Sequence, residues 1–159
     1  MSGKRWSIET LVSAHRRVAL DADVLIYLID DAGVRAQLAA VVVDAIEAGL
    51  LQGSMSALAH AEVLVGPART GDASVFEETA SELRGFGLEI RPVTPEVAED
   101  AAWLRGRGDT HLVDALHLAS ARASATAFVT NDRRLRASSG LDVYYLDDLD
   151  TDPPTSAVA

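Results

Sequence analysis

Four acidic residues lie far apart in the chain, yet a parallel α/β fold would gather them at one edge: Asp21, Glu62, Asp114 and Asp132. The stretch Thr110 to Arg136, THLVDALHLASARASATAFVTNDRRLR, reads as a helix, a short turn, a buried strand at Ala127-Phe128-Val129 and a loop. Asp114 falls in the first turn of that helix, and Asp132 just past the strand. Helices in such folds run antiparallel to the strands, so a helix start and a strand end meet at the same sheet edge. Asp21 follows the apolar run Val18-Ala19-Leu20. Glu62 lies in the second turn of a helix that Ser56 would cap. If the first and fourth strands are the central neighbours, Asp21 and Asp132 flank the crevice outside the strand C-termini, where ligands bind.

Carboxylates crowded into one crevice raise one another's pKa and destabilise the fold. A divalent cation removes the conflict. Cys is absent, and oxygen ligands without thiolates favour Mg²⁺ or Mn²⁺. Such an ion binds phosphate oxygens and lowers the pKa of a bound water, which is chemistry for phosphodiester hydrolysis. A single acid at a helix start is more often only a cap or a dipole partner; it is the convergence of four that favours a metal. His117, alone on an apolar helix, is expected to be a packed, hydrogen-bonded residue. The spacing commits neither His60 nor His111 to the site. Thr130 and Asn131 are candidates to order the Asp132 loop or to support metal-bound waters. Arg133, Arg134 and Arg136 directly follow Asp132 and are candidates to grip RNA phosphates; a solvated basic turn is the equal alternative. Arg105 and Arg107 are weaker candidates for the same role.

The segments Leu20-Asp21-Ala22-Asp23-Val24-Leu25-Ile26, Glu62 with Gly66, Asp114-Ala115-Leu116-His117-Leu118-Ala119 and Thr130-Asn131-Asp132 together resemble the PIN-domain ribonucleases. Among these the likeness is greatest to the VapC-type toxins of bacterial toxin–antitoxin pairs, and it runs from about Arg17 to Leu146. The resemblance implies a three-layer sandwich with a five-stranded parallel sheet, Mg²⁺-dependent RNA cleavage, a homodimer and a small cognate antitoxin. It carries the family's acids onto Asp21, Glu62, Asp114 and Asp132 as metal ligands and catalytic residues. Two positions depart from the family pattern. Ala22 stands where Thr or Ser is usual, and Asp23 where Asn is usual. Asp23 is read as a helix cap, with a ligand or water contact as the alternative.

Elements to position these residues follow from the rest of the chain. Strands near 18, 53, 89, 128 and 143 alternate with helices, which predicts a parallel α/β sheet covered on both faces with right-handed crossovers. Helices are expected at 24–29, 34–50, 57–65, 74–86 and 95–105. Gly66-Pro67 should stop the third, and Val75, Phe76, Thr79, Leu83 and Phe86 should form the buried stripe of the fourth. Pro92 marks an edge strand. Thr94 and Pro95 open the next helix as N-cap and first residue, and Trp103 should pack within it. A short helix is expected at Arg133 to Ala137. The expected organisation is a polar leader at 1–16 with a short helix around 8–14, a nuclease domain at 17–149, and an acidic, disordered tail at 150–159.

The 159 residues suit one domain, and 48% hydrophobic content suffices for a core. No signal peptide or bilayer-spanning run is evident, so a cytoplasmic protein is expected. The net charge of −10 sits poorly with nucleic-acid binding until bound cations are counted. Lys4 is the only lysine. That weakens two rivals: a haloacid dehalogenase-like phosphatase, suggested by Asp21-Ala22-Asp23, which needs a lysine near the phosphate, and a phospho-accepting receiver domain, which needs a lysine late in the chain. A third rival, a catalytically weak PIN domain that binds RNA or protein, draws support from Ala22 and is opposed by the four acids.

Overall fold

The computed structural model describes residues 4–138 and 140–152. Five parallel strands form one sheet: β1 (Arg17–Leu20), β2 (Gln52–Ser56), β3 (Glu89–Arg91), β4 (Ala127–Thr130) and β5 (Asp142–Tyr145). Their order is β3-β2-β1-β4-β5. The first and fourth strands are therefore the central neighbours, with Leu20 opposite Val129. The chain turns outward in opposite directions from this pair, which opens the crevice at their C-terminal ends.

The central strands are apolar throughout because both their faces are covered. Val18, Leu20, Ala127 and Val129 point into the larger core, whereas Ala19 and Phe128 point into a smaller one on the other face. The larger core is completed by α2 (Ala22–Ile29), α3 (Val34–Glu47), α4 (Ala57–Arg69) and α5 (Ala73–Gly85). The opposite face is covered by α7 (Leu112–Ser124), on which α6 (Pro95–Arg107) packs through Val97, Ala101, Ala115 and Ala119. Small residues let these two helices approach closely. Gly53 serves a similar end in β2, since a Cβ there would lie 2.6 Å from the side chains of Ile46 and Leu88.

The stretch before Arg17 joins the larger core. It forms α1 (Ile8–Ala14), capped by the Ser7 hydroxyl, and buries Trp6 and Leu11. The Trp6 indole N–H donates to the Tyr145 carbonyl at 2.8 Å, and Trp6 bridges to Leu149 in parallel. Residues 153–159 of the expected tail lie outside the described residues.

Several expected details differ. The helix after Ser56 does not stop at Gly66-Pro67 but runs to Arg69. Pro67 falls in its last turn at the surface, where it removes one backbone bond and leaves the packing of Val63 intact. Val75 is exposed, and the buried positions of α5 are Ala80 and Leu83. Trp103 is 64% exposed, with the Arg107 guanidinium stacked 5.1 Å from its ring. Residues Arg133 to Ala137 form turns rather than a helix, because their side chains are drawn to acids on either side. Pro92 does follow an edge strand, and Thr94 caps α6 as expected. No helix among the described residues is long and apolar enough to cross a membrane.

Candidate metal centre

Asp21 leaves β1 at its C-terminal end. Its N–H still donates to the Val129 carbonyl at 3.0 Å, so the β1–β4 pairing carries on to the very residue whose side chain enters the crevice. One carboxylate oxygen accepts the N–H of Ala22 at 2.8 Å and the other accepts the Thr130 hydroxyl at 2.7 Å. The same hydroxyl oxygen accepts the Asp132 N–H at 3.0 Å. Thr130, fully buried, thus fixes both acids that flank the central strand ends. Burial holds the Asp21 carboxyl above its ordinary range, against the opposing pull of His117 and these hydrogen bonds.

Asp21 also takes the N-cap position of α2. The helix-cap reading of Asp23 is therefore replaced by another arrangement. Asp23 accepts the backbone N–H of Asn131 at 2.7 Å and ties the start of α2 to the Asp132 loop. The Asn131 side-chain oxygen in turn accepts the Asp147 N–H at 3.1 Å, which places Asn131 as a strut of that loop. Burial first, and the neighbouring charges of Asp21 and Asp132 next, push the Asp23 carboxyl up to about 7.

Glu62 reaches the site from the second turn of α4, where His117 meets it. A carboxylate can only accept, so the imidazole Nε2 carries the hydrogen in this 3.1 Å contact. The other ring nitrogen lies 3.7 Å from Asp21. His117 is buried and hydrogen-bonded, as a packing residue would be, but its partners are two acids of the site. Asp21, Glu62 and His117 each offer a ligand atom within 4.8 Å of the others. The signal in the sequence was its position: three residues after Asp114 on an amphipathic helix, one turn deeper on the face turned to the sheet.

Asp114, Asp132 and Asp23 line the same cleft, of about 370 Å³, as this trio. They do not join its tightest group. Asp132 is paired with Arg134, whose guanidinium donates to it at 2.7 Å and holds its carboxyl below the usual range. That guanidinium also lies 3.8 Å from the buried Asp114. Arg133 turns away to Asp148 at 2.8 Å and stacks 4.2 Å from the Tyr145 ring. Arg136 makes no ion pair among the described residues. With His111, Asp114 and Arg134 it lines a second cleft of about 550 Å³ beside the first. His60 lines neither cleft.

The donor set fits a hard divalent cation. Two carboxylates and an imidazole converge, further carboxylates border them, and one buried oxygen of Asp23 has no donor among the described residues.

The family profile for the PIN domain matches residues 18–140. No curated protein sequence matches the chain. Among solved structures, VapBC2 from Rickettsia felis, bound to a DNA fragment from its promoter, superposes with a TM-score of 0.63 at 14% identity, covering 81% of this chain and 98% of that one. A toxin–antitoxin complex from Klebsiella pneumoniae gives 0.58 at 22% identity, covering 81% and 97%. FitAcB from Neisseria gonorrhoeae gives 0.57 at 18%, with the same coverage.

Proposed function

The chain belongs to the PIN domain family, and on that premise we propose that it is a Mg²⁺- or Mn²⁺-dependent endoribonuclease, the toxin of a type II toxin–antitoxin pair. The observation that carries this reading is the convergence of Asp21, Glu62 and His117 within 4.8 Å, in a cleft also lined by Asp114 and Asp132. Asp21, Glu62, Asp114 and Asp132 are the catalytic and metal-holding acids of the proposal, with His117 added to them. A cation held there supplies charge for a phosphate oxygen and lowers the pKa of a nearby water. The chain's own residues do the positioning. Thr130 holds Asp21 and the Asp132 loop in register, His117 orients Glu62, and Asn131 and Asp23 brace the loop from the other side.

The second cleft supports the substrate side of the reading. Arg136 and Arg134 line that cleft together, so phosphates of a strand leaving the acids on that side would meet guanidinium groups. Arg133 is committed to Asp148 and is a brace instead. An antitoxin partner is supported by likeness to structures solved as toxin–antitoxin complexes. The exposed side chains of Val65, Val75, Leu112 and Val113 offer apolar surface for it and for a second copy of the chain. The proposed working place is the cytoplasm, where RNA and such a partner occur together.

Purified protein is expected to cut RNA with Mg²⁺ or Mn²⁺ and to lose at least ~100-fold of that rate on Asp114→Asn. A variant that cuts as fast as the parent would refute the assignment. Co-expression with a small protein encoded beside it is expected to relieve growth arrest. Continued arrest would count against the pairing.

A further inference from the structure

Resting on the cation-dependent reading above, we propose that Asp23 is an outer carboxylate of the centre, accepting hydrogen bonds from the hydration shell of the bound cation. Its two oxygens differ sharply. One accepts the Asn131 N–H at 2.7 Å. The other is shielded from solvent and meets no donor among the described residues. A buried carboxylate oxygen without a donor is costly, and it is rarely found without a reason. Asp23 lines the same cleft as Asp21, Glu62 and His117, yet it falls outside the group whose ligand atoms lie within 4.8 Å of one another. Unlike Asp114 and Asp132, which also lie outside that group but face the Arg134 guanidinium, it keeps an oxygen free for a water between it and an ion.

Two structural explanations fall short. Capping does not account for it, since Asp21 holds the N-cap of α2 and a first-turn contact to Val24 is open to an amide as well. The tie to Asn131 does not call for a charge, because an amide oxygen would accept the same N–H. What a carboxylate adds over an amide is negative charge, in a cleft where carboxylates already crowd one another. Mg²⁺ and Mn²⁺ shed their waters reluctantly, and those waters present hydrogens outward. A carboxylate one water away from the ion turns a local repulsion into attraction, and gives the orphan oxygen its donor.

The test is Asp23→Asn, which keeps the acceptor for Asn131 and removes the charge. Mn²⁺ is titrated calorimetrically into wild type and variant, and thermal unfolding is followed at pH 8 with and without Mn²⁺. The variant is expected to bind Mn²⁺ about 10-fold more weakly. Without Mn²⁺ its Tm is expected to rise by about 2–4 °C, since a repulsive charge is gone. A second variant, Asp23→Ala, drops the Asn131 tie as well; it is expected to match the first in Mn²⁺ affinity but to have the lower cation-free Tm. If Asp23→Asn binds Mn²⁺ as tightly as wild type, or loses cation-free stability as a purely structural residue would, the proposal is overturned. If wild type itself binds no Mn²⁺, the reading of the whole centre falls, and this inference with it.

Discussion

Thr130 does more for the acidic cleft than any other uncharged residue. It is fully buried, its hydroxyl donates to Asp21, and its oxygen receives the Asp132 N–H. Thr130→Val keeps the shape and loses both bonds. Stability should drop by about 1–3 kcal/mol, the cost of leaving a buried N–H and a carboxylate oxygen unmet. Mn²⁺ affinity should fall about 10-fold as Asp21 loses its orientation; urea unfolding and calorimetry report the two effects separately. Arg134 acts in the opposite sense. It neutralises Asp132 and stands 3.8 Å from Asp114, so it competes with a cation for the same charge. Arg134→Gln should tighten Mn²⁺ binding by about fivefold, and weaken binding of a short RNA to the Asp114→Asn background. Unchanged Mn²⁺ affinity would show that the guanidinium swings clear at no cost. The four acids were legible in the sequence because helix starts and strand ends share an edge. The roles of His117 and Asp23 were not, because they depend on which neighbour each side chain meets. Its place three residues after Asp114 put His117 on the sheet-facing side of α7, but only the fold shows that Glu62 is what it meets there.

At the level of elements, the apolar runs of β1 and β4 announced a central parallel pair, and the caps at Ser56 and Thr94 announced two helices. What could not be read were contacts made by chain ends arriving late. Arg133 to Ala137 carried a helical expectation, but Asp148 and Asp132 capture the first two arginines and hold the segment in turns. The same 3-10 turn, Leu146–Asp148, is clamped to α3 by Arg35, which bonds Asp147 at 2.8 Å. That bond holds the Asp147 carboxyl below its usual value of 3.8. A depressed carboxyl contributes stability that is fully present above pH 3.8 and lost as pH falls through its lower folded pKa. With both partners more than a third exposed, solvent screens the pair and the contribution is small. Arg35→Gln should therefore lower stability slightly at pH 7 and by progressively less as pH falls below 3.8, as judged by urea midpoints. Trp6 closes the same end of the sheet from the other terminus. Trp6→Ala should cost about 3–5 kcal/mol through lost burial and the bond to Tyr145, a loss that urea unfolding would report. A loss under 1 kcal/mol would mean that the stretch before Arg17 lies loosely on the domain.

As a whole, the molecule concentrates negative charge where its own arginines only partly offset it. Its net charge is −10, and buried Asp21 and half-buried Asp23 are held neutral more readily than free carboxyls. A cation that binds only the folded state must stabilise it, by about 2.7 kcal/mol at 100 times its Kd. For a chain of this size that is a rise in Tm of roughly 5–10 °C, expected with Mn²⁺ and absent with NaCl of matched ionic strength. The most direct measurement is a crystal structure of the protein grown with Mn²⁺, with anomalous diffraction recorded at the manganese edge. An anomalous peak within ligand distance of Asp21, with Glu62 or His117 completing its contacts, is the predicted result. A cleft without such a peak, in which Glu62 stays on His117 and Arg134 stays on Asp132, would contradict the claim that these acids gather to hold a cation.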